Sequence, residues 1–157
     1  MPTLPLRELN SSDYPQWLRM RYTLWPDCPE ERHHLEMQRL RRESGDNAVF
    51  VYDRGEGALG GFIEVSVRTQ VDGAHSERTA YVEGWYVDRD LRGQGRGRQL
   101  MEAAERWDTA RGLTEIASDA EIENLGSIQA HKALGFAETF RVVQFLKQIP
   151  HPSPSET

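Results

Sequence analysis

Arg92-Gly93-Gln94-Gly95-Arg96-Gly97 is the stretch of this chain whose residue types and spacing are best suited to holding a ligand. Three glycines let a main chain approach an anion closely, and the start of a helix presents N–H groups that lack internal partners. Together with the positive end of the helix macrodipole, such N–H groups suit a pyrophosphate. Arg89, Arg92, Arg96 and Arg98 form a basic island in a chain of net charge −6. That island fits a ligand carrying several phosphates. A lone glycine-rich turn before a helix is as often a tight connection, so its setting decides. Two other phosphate motifs do not fit: a dinucleotide fold carries its glycine turn after the first strand, and a P-loop needs Gly-Lys-Ser/Thr.

The elements that position this turn follow from periodicity. Leu4–Leu9 predicts a short edge strand interrupted by Pro5. Ser12 or Asp13 is placed to cap a first helix carrying Trp17, Met20, Arg21 and Leu24, which Trp25-Pro26 stops. A charged second helix is expected over 29–42. Strands follow at Ala48–Tyr52, Gly60–Arg68 and Thr79–Val87, the second with Phe62, Glu64, Ser66 and Arg68 on one face and Ile63, Val65 and Val67 on the other. The glycine turn then opens a helix with an apolar stripe of Leu100, Ala103, Ala104, Trp107 and Ala110. Strand Thr114–Asp119, a short helix over Gly126–Leu134 and a final strand Glu138–Lys147 complete the order βααβββαβαβ. This predicts a mixed α+β fold: a mostly antiparallel sheet with helices on both faces, in one domain over 1–149 followed by a polar tail at 150–157.

Composition narrows the function classes. The acidic balance disfavours nucleic acid as a partner, because phosphate contacts need a cationic face, and it suits attraction of a cationic ligand. No apolar run is long enough to span a bilayer, and the N-terminus lacks the pattern of a signal peptide. A single cysteine, Cys28, fits a reducing compartment, so a cytoplasmic location and no membrane partner are expected. His33 and His34 diverge by about a hundred degrees on a helix and do not chelate one metal together; no metal is expected.

Arg92-x-x-Gly95-x-Gly97, preceded by Glu83-Gly84-Trp85-Tyr86-Val87 and followed by Asn124 and Leu134-Gly135-Phe136, resembles the GCN5-related N-acetyltransferase family over roughly residues 4–148. Leu24-Trp25-Pro26, Val82-Glu83-Gly84, Ala117-Ser118-Asp119 and Glu123-Asn124 are most similar to its bacterial aminoglycoside 6'-N-acetyltransferases. The resemblance implies a splayed central sheet. It also implies acetyl-coenzyme A as co-substrate, with pyrophosphate on Arg92, Gly93, Gln94, Gly95, Arg96 and Gly97 and the pantetheine arm along Trp85, Tyr86 and Val87 beside Asn124. For the acceptor it implies a small cationic amine, an aminoglycoside, held by Trp25, Gln70, Glu83, Asp119 and Phe140. A homodimer, with the last strand pairing across subunits, is a further implication.

The chemistry stands beside the name. An alkyl amine with a pKa near ~10.4 arrives protonated. A carboxylate binds that ammonium and accepts its proton, and Glu83, with Asp119 adding a second negative charge, is the candidate. Alternation predicts that Glu83 shares a face with Trp85 and Val87. Cys28 lies far in sequence from the turn, and no covalent intermediate is required. His131 occupies the position at which many relatives carry a tyrosine acid, so the acid is His131, water or nothing dedicated, with a packed structural imidazole as the other reading. Gln70 and Phe140 replace pocket residues of some relatives. That keeps another amine (polyamine, amino sugar or peptide N-terminus) and a non-catalytic acyl-coenzyme A-binding module open beside the aminoglycoside reading.

Overall fold

A computed structural model describes residues 5–42 and 45–153. In chain order it contains β1 (Leu6–Glu8), α1 (Tyr14–Leu24), α2 (Glu30–Arg42), β2 (Asn47–Gly55), β3 (Ala58–Thr69), β4 (Arg78–Val87), α3 (Arg96–Ala110), β5 (Ile116–Ala117) and α4 (Leu125–Ala133). The strands form one sheet in the order β1-β2-β3-β4-β5. The first three pairings are antiparallel and β4 with β5 is parallel. The expected mixed fold is therefore observed. Leu4, at the start of the predicted first strand, lies outside the described residues.

Each face of the sheet buries its own cluster. Trp17 and Met20 of α1 and Met37 of α2 pack with Val51, Leu59 and Phe62 on one face. Leu100, Met101, Ala104 and Trp107 of α3 pack with Ile63, Val65, Ala80 and Val82 on the other. The alternation read for β3 holds, since Phe62 belongs to the first cluster and Ile63 and Val65 to the second. Ala110 is exposed rather than part of the α3 stripe, and Met101 takes a buried place in it.

The start of α1 differs from the expected cap. Asn10, not Ser12 or Asp13, accepts from the Ser12 N–H to cap a 3-10 turn over Ser11–Asp13. Asp13 stands at the N-cap position of α1 without a side-chain bond to that helix; its buried carboxylate accepts from the Asn10 N–H, completing a capping box with Asn10, and pairs with Arg7.

Two irregularities matter for the site. Glu64 pairs with Gly84 while Val65 pairs with Val82, so Glu83 is the extra residue of a β-bulge. Farther along, β4 pairs with β5 only at Ala80 and Tyr81, although it continues beside β3 to Val87. The sheet thus opens between the second half of β4 and the chain after β5.

The predicted final strand is not formed. Residues 138–147 carry no ladder, and among the described residues 137–153 make no backbone–backbone hydrogen bond. Phe140, Val142, Val143, Phe145 and Leu146 are exposed. The β-forming composition is real, but an isolated strand needs a neighbouring edge to satisfy its backbone, and this arm lies on none.

Candidate active site

At one end of the opened strand, the glycine turn has a backbone geometry that suits an anion. Gly93 and Gly95 adopt φ of 76° and 82°, in the left-handed region, with nothing within 4 Å of the positions a Cβ would take. Gly95 is the N-cap of α3 and no side chain closes that cap, leaving the first-turn N–H groups to an incoming group. Arg92 Nε donates to the Val87 carbonyl at 2.8 Å and fastens the turn to the end of β4. Gln94 Nε2 donates to the Asp90 carbonyl and Arg96 to that of Gln94, each at 3.2 Å. Arg96 Nε is buried with no hydrogen-bond partner among the described residues, an orphaned donor of the kind a phosphate satisfies.

Trp85 joins this turn directly. Its Nε1 donates to the Gly97 carbonyl at 3.1 Å, and a Cβ on Gly97 would meet its ring at 3.2 Å. Gly97 is therefore required for this close packing. Tyr86 points the other way, into the core, where its hydroxyl donates to Asp88 at 2.9 Å. Only its main chain faces the opening.

The bulge decides where Glu83 looks. Simple alternation places it with Trp85 and Val87, but the extra residue shifts the phase of the strand. Glu83 instead accepts from Ser66 Oγ and, at 2.8 Å, from Arg68 Nε, on the opposite face. The second Arg68 nitrogen bonds the other carboxylate oxygen, making a bidentate pair. The same guanidinium lies 3.7 Å from the centroid of the Tyr81 ring, and the Tyr81 hydroxyl donates to Asp119. Glu83, Arg68, Tyr81 and Asp119 thus form one connected cluster. Burial, then the hydrogen bond to Asp119, push the Tyr81 phenol up from its ordinary 10.0, so it remains a donor. Asp119 does not cap the following helix; Asn124 does, accepting from the Ser127 N–H at 3.1 Å.

Behind this cluster, Trp25 is wedged against the bulge. A Cβ on Gly84 would meet its ring at 2.5 Å, so only glycine lets the indole lie there. Arg21 sits 4.7 Å from the Trp25 centroid and makes a fully buried ion pair with Glu64, which also accepts from Trp17 Nε1 at 2.9 Å. Burial pushes the Glu64 carboxyl up, although Arg21 and Trp17 pull the other way. This buried pair fixes the indole from below.

His131 fills the gap where β4 and β5 part. Its Nδ1 lies 2.7 Å from the Ser127 carbonyl, which only accepts, so in the neutral imidazole Nδ1 carries the hydrogen and Ser118 Oγ donates to Nε2 at 2.7 Å. The ring packs edge-on against Trp85 and Phe136, each 5.2 Å away. Gln70 lies in the β3–β4 loop at φ 56°, its N–H bonded to Glu77. Phe140 is on the exposed arm and has no place in the cluster.

Sequence reasoning missed Arg68, Tyr81 and Ser66. The available signal was modest: Ser66 and Arg68 share a face of β3, and Tyr81 stands two residues before Glu83. The bulge that joins them is not visible in residue types.

The chain matches the acetyltransferase (GNAT) family over residues 13–136. It is 38% identical over 152 residues to an aminoglycoside N(6')-acetyltransferase type 1 of Klebsiella aerogenes, covering 95% of this chain and 100% of the relative. A protein of the same description from Stenotrophomonas maltophilia is 38% identical over 141 residues, covering 89% and 90%. Among solved structures, AAC(6')-Iy in complex with the bisubstrate analog CoA-S-monomethyl-acetylneamine superposes with a TM-score of 0.82 at 33% identity, covering 92% of this chain and 97% of that one. The apo aminoglycoside 6'-N-acetyltransferase AAC(6')-IG from Acinetobacter haemolyticus gives 0.82 at 31% identity, covering 92% and 99%.

Proposed function

The chain belongs to the acetyltransferase (GNAT) family, and from that membership we propose that it moves an acetyl group from acetyl-coenzyme A to the 6'-amine of an aminoglycoside. The observation that carries the reading is a single strand, β4, with an anion cradle at its end and a carboxylate cluster at its bulge. One suits a phosphate-bearing acyl carrier, the other a polyamine. Relatives and neighbours named for this reaction support the acceptor class.

Acetyl-coenzyme A is a co-substrate, supplying the acetyl group and a thiolate leaving group. The turn Arg92–Gly97 takes its pyrophosphate through N–H groups and Arg96, and the open edge of Trp85–Val87 takes the pantetheine arm. Glu83 and Asp119 draw in the ammonium groups of the acceptor, and Trp25 offers an apolar ring to the sugar. Glu83 takes one proton from the ammonium, which frees the nitrogen lone pair to attack the thioester carbon, and the second proton shed by nitrogen leaves through water. Main-chain N–H groups near Trp85–Val87 stabilise the oxyanion, donors of a kind that contribute about 3 kcal/mol in other enzymes. The C–N bond forms, the C–S bond breaks, and the thiolate leaves without a covalent enzyme intermediate. Water returns a proton to the sulfur, because the His131 hydrogen is held by the Ser127 carbonyl and its Nε2 accepts from Ser118. The protein works in the cytoplasm, as one catalytic domain over 1–149, and in pairs.

Thiol release from acetyl-coenzyme A with kanamycin or tobramycin tests the assignment. Release that depends on the aminoglycoside, with acetyl located on the 6'-nitrogen of the product, is expected. Background release with both, and faster release with spermidine, would transfer the reading to a polyamine enzyme.

A further inference from the structure

Two bulges face each other where β2 turns into β3. Tyr52 pairs with Gly61 and Asp53 with Leu59, so Gly60 is the extra residue of β3. Gly55 then pairs with Ala58, so Arg54 is the extra residue of β2. Both turn to the segment that leads into the glycine turn. The Gly60 carbonyl accepts from the Asp88 N–H at 2.8 Å. Arg54 spans two carboxylates: Nη1 donates to Asp90 at 3.0 Å, and Nη2 donates to Asp88 at 3.0 Å and again to Asp90. A Cβ on Gly60 would run into Leu91 and meet Arg54 Nε at 3.0 Å, so the missing side chain makes room for both.

Asp88 and Asp90 frame a 3-10 turn over Arg89–Leu91, which passes directly into Arg92. The two carboxylates are held differently. Asp88 is buried and has other partners, Arg19 of α1 and the Tyr86 hydroxyl. Asp90 is exposed, and Arg54 ties it to Asp88. The Asp90 carbonyl in turn accepts from Gln94 Nε2 at 3.2 Å. A chain of contacts therefore runs from Arg54 through Asp90 into the glycine turn. Charge acts in the same sense. Two carboxylates just before an anion site repel the anion, and a guanidinium lying across both cancels that repulsion.

We propose that Arg54 is a positioning residue for the coenzyme: by bridging Asp88 and Asp90 it holds the entry to Arg92–Gly97 in the shape that receives a pyrophosphate. It touches no substrate and acts through Asp90 and Gln94. The inference rests on the assignment of that turn to the coenzyme and adds a residue from another strand to it. Half-exposed ion pairs contribute little to global stability, so loss of Arg54 is felt at the turn rather than across the fold.

Amide exchange of the free protein, read by NMR, and calorimetry with coenzyme A test it together. Leu91 and Gln99 carry hydrogen-bonded amides on either side of the turn, bonded to the Asp88 and Gly95 carbonyls. In Arg54→Met their exchange is expected to quicken about fivefold, while that of Met101–Trp107 in α3 stays as it is. Coenzyme A binding weakens about tenfold, and the amine KM stays within about twofold of wild type. Arg54→Lys keeps the charge but reaches one carboxylate at a time, so its loss of affinity is about threefold.

Unchanged exchange at Leu91 and Gln99 overturns the proposal even if affinity falls, because charge alone is then at work. Faster exchange with affinity as in wild type overturns it as well. So does exchange that quickens throughout the fold, which is the mark of a merely structural role. A wild-type protein that takes up no coenzyme A removes the assigned reaction, and the exchange at Leu91 and Gln99 still decides whether Arg54 holds the turn. If Arg54→Met fails to fold, Asp90→Asn at its exposed position decides instead. Faster exchange at the same two amides supports the proposal, and unchanged exchange overturns it.

Discussion

Arg68 lies across the ring of Tyr81, 3.7 Å from its centroid, while its Nε donates to Glu83 at 2.8 Å. A guanidinium therefore stands where the proposed reaction brings a substrate ammonium. It neutralises the carboxylate in the free protein and must yield when the amine arrives.

Arg68→Met removes this competitor while Ser66 continues to hold Glu83. An exposed charge pair of this kind amounts to about 1 kcal/mol, so the KM for the amine is expected to fall about fivefold. The KM for acetyl-coenzyme A stays as it is. Steady-state kinetics with each substrate varied checks this, and a higher amine KM would mean that Arg68 helps bind the acceptor.

Gly95→Ala acts at the other end of β4. Its φ of 82° costs an L-residue about 1–2 kcal/mol, and relaxing that strain tilts the N–H groups at the start of α3. Calorimetry is expected to show coenzyme A affinity falling about tenfold, with the amine KM little changed. Loss of amine binding instead would place the acceptor at the turn.

How much of this could be read from residue types depends on distance along the chain. The glycine turn, its helix and the apolar faces of β3 were legible, because each is a local pattern of a few residues. Glu83 was found as a residue but placed on the wrong face, since its orientation depends on a bulge set by pairing with Glu64 and Val65. The Arg21–Glu64 pair joins residues 43 positions apart and left no local trace. For Glu138–Lys147 the composition suggests a strand, but none forms there, because a strand needs an edge that receives its backbone groups. Sequence pattern names the propensity and not the partner.

Asp108 supplies a pH-dependent stability test. It is buried on α3 with Oδ1 unpartnered among the described residues, and burial, then Glu105, push its carboxyl up from 3.8 to about 6. The folded state thus holds this proton more tightly than the unfolded chain. Stability is greatest below pH ~4 as far as this group is concerned, falls through the window between the two values, and is lower by about 2–3 kcal/mol above it. Asp108→Asn is expected to raise unfolding free energy by about 1–2 kcal/mol at pH 8 and by little at pH 4. Urea titrations at the two pH values check the sign, and an equal effect at both would remove the titration argument.

Glu83→Gln bears on the role of Glu83 as the base, because it keeps the size and the hydrogen-bonding reach of the side chain while removing its capacity to take a proton. The measurement is kcat/KM for an aminoglycoside, with coenzyme A affinity determined on the same preparation. A loss of about 10²- to 10³-fold in kcat/KM with coenzyme affinity unchanged is expected. Turnover within a few-fold of the wild-type value would contradict that role.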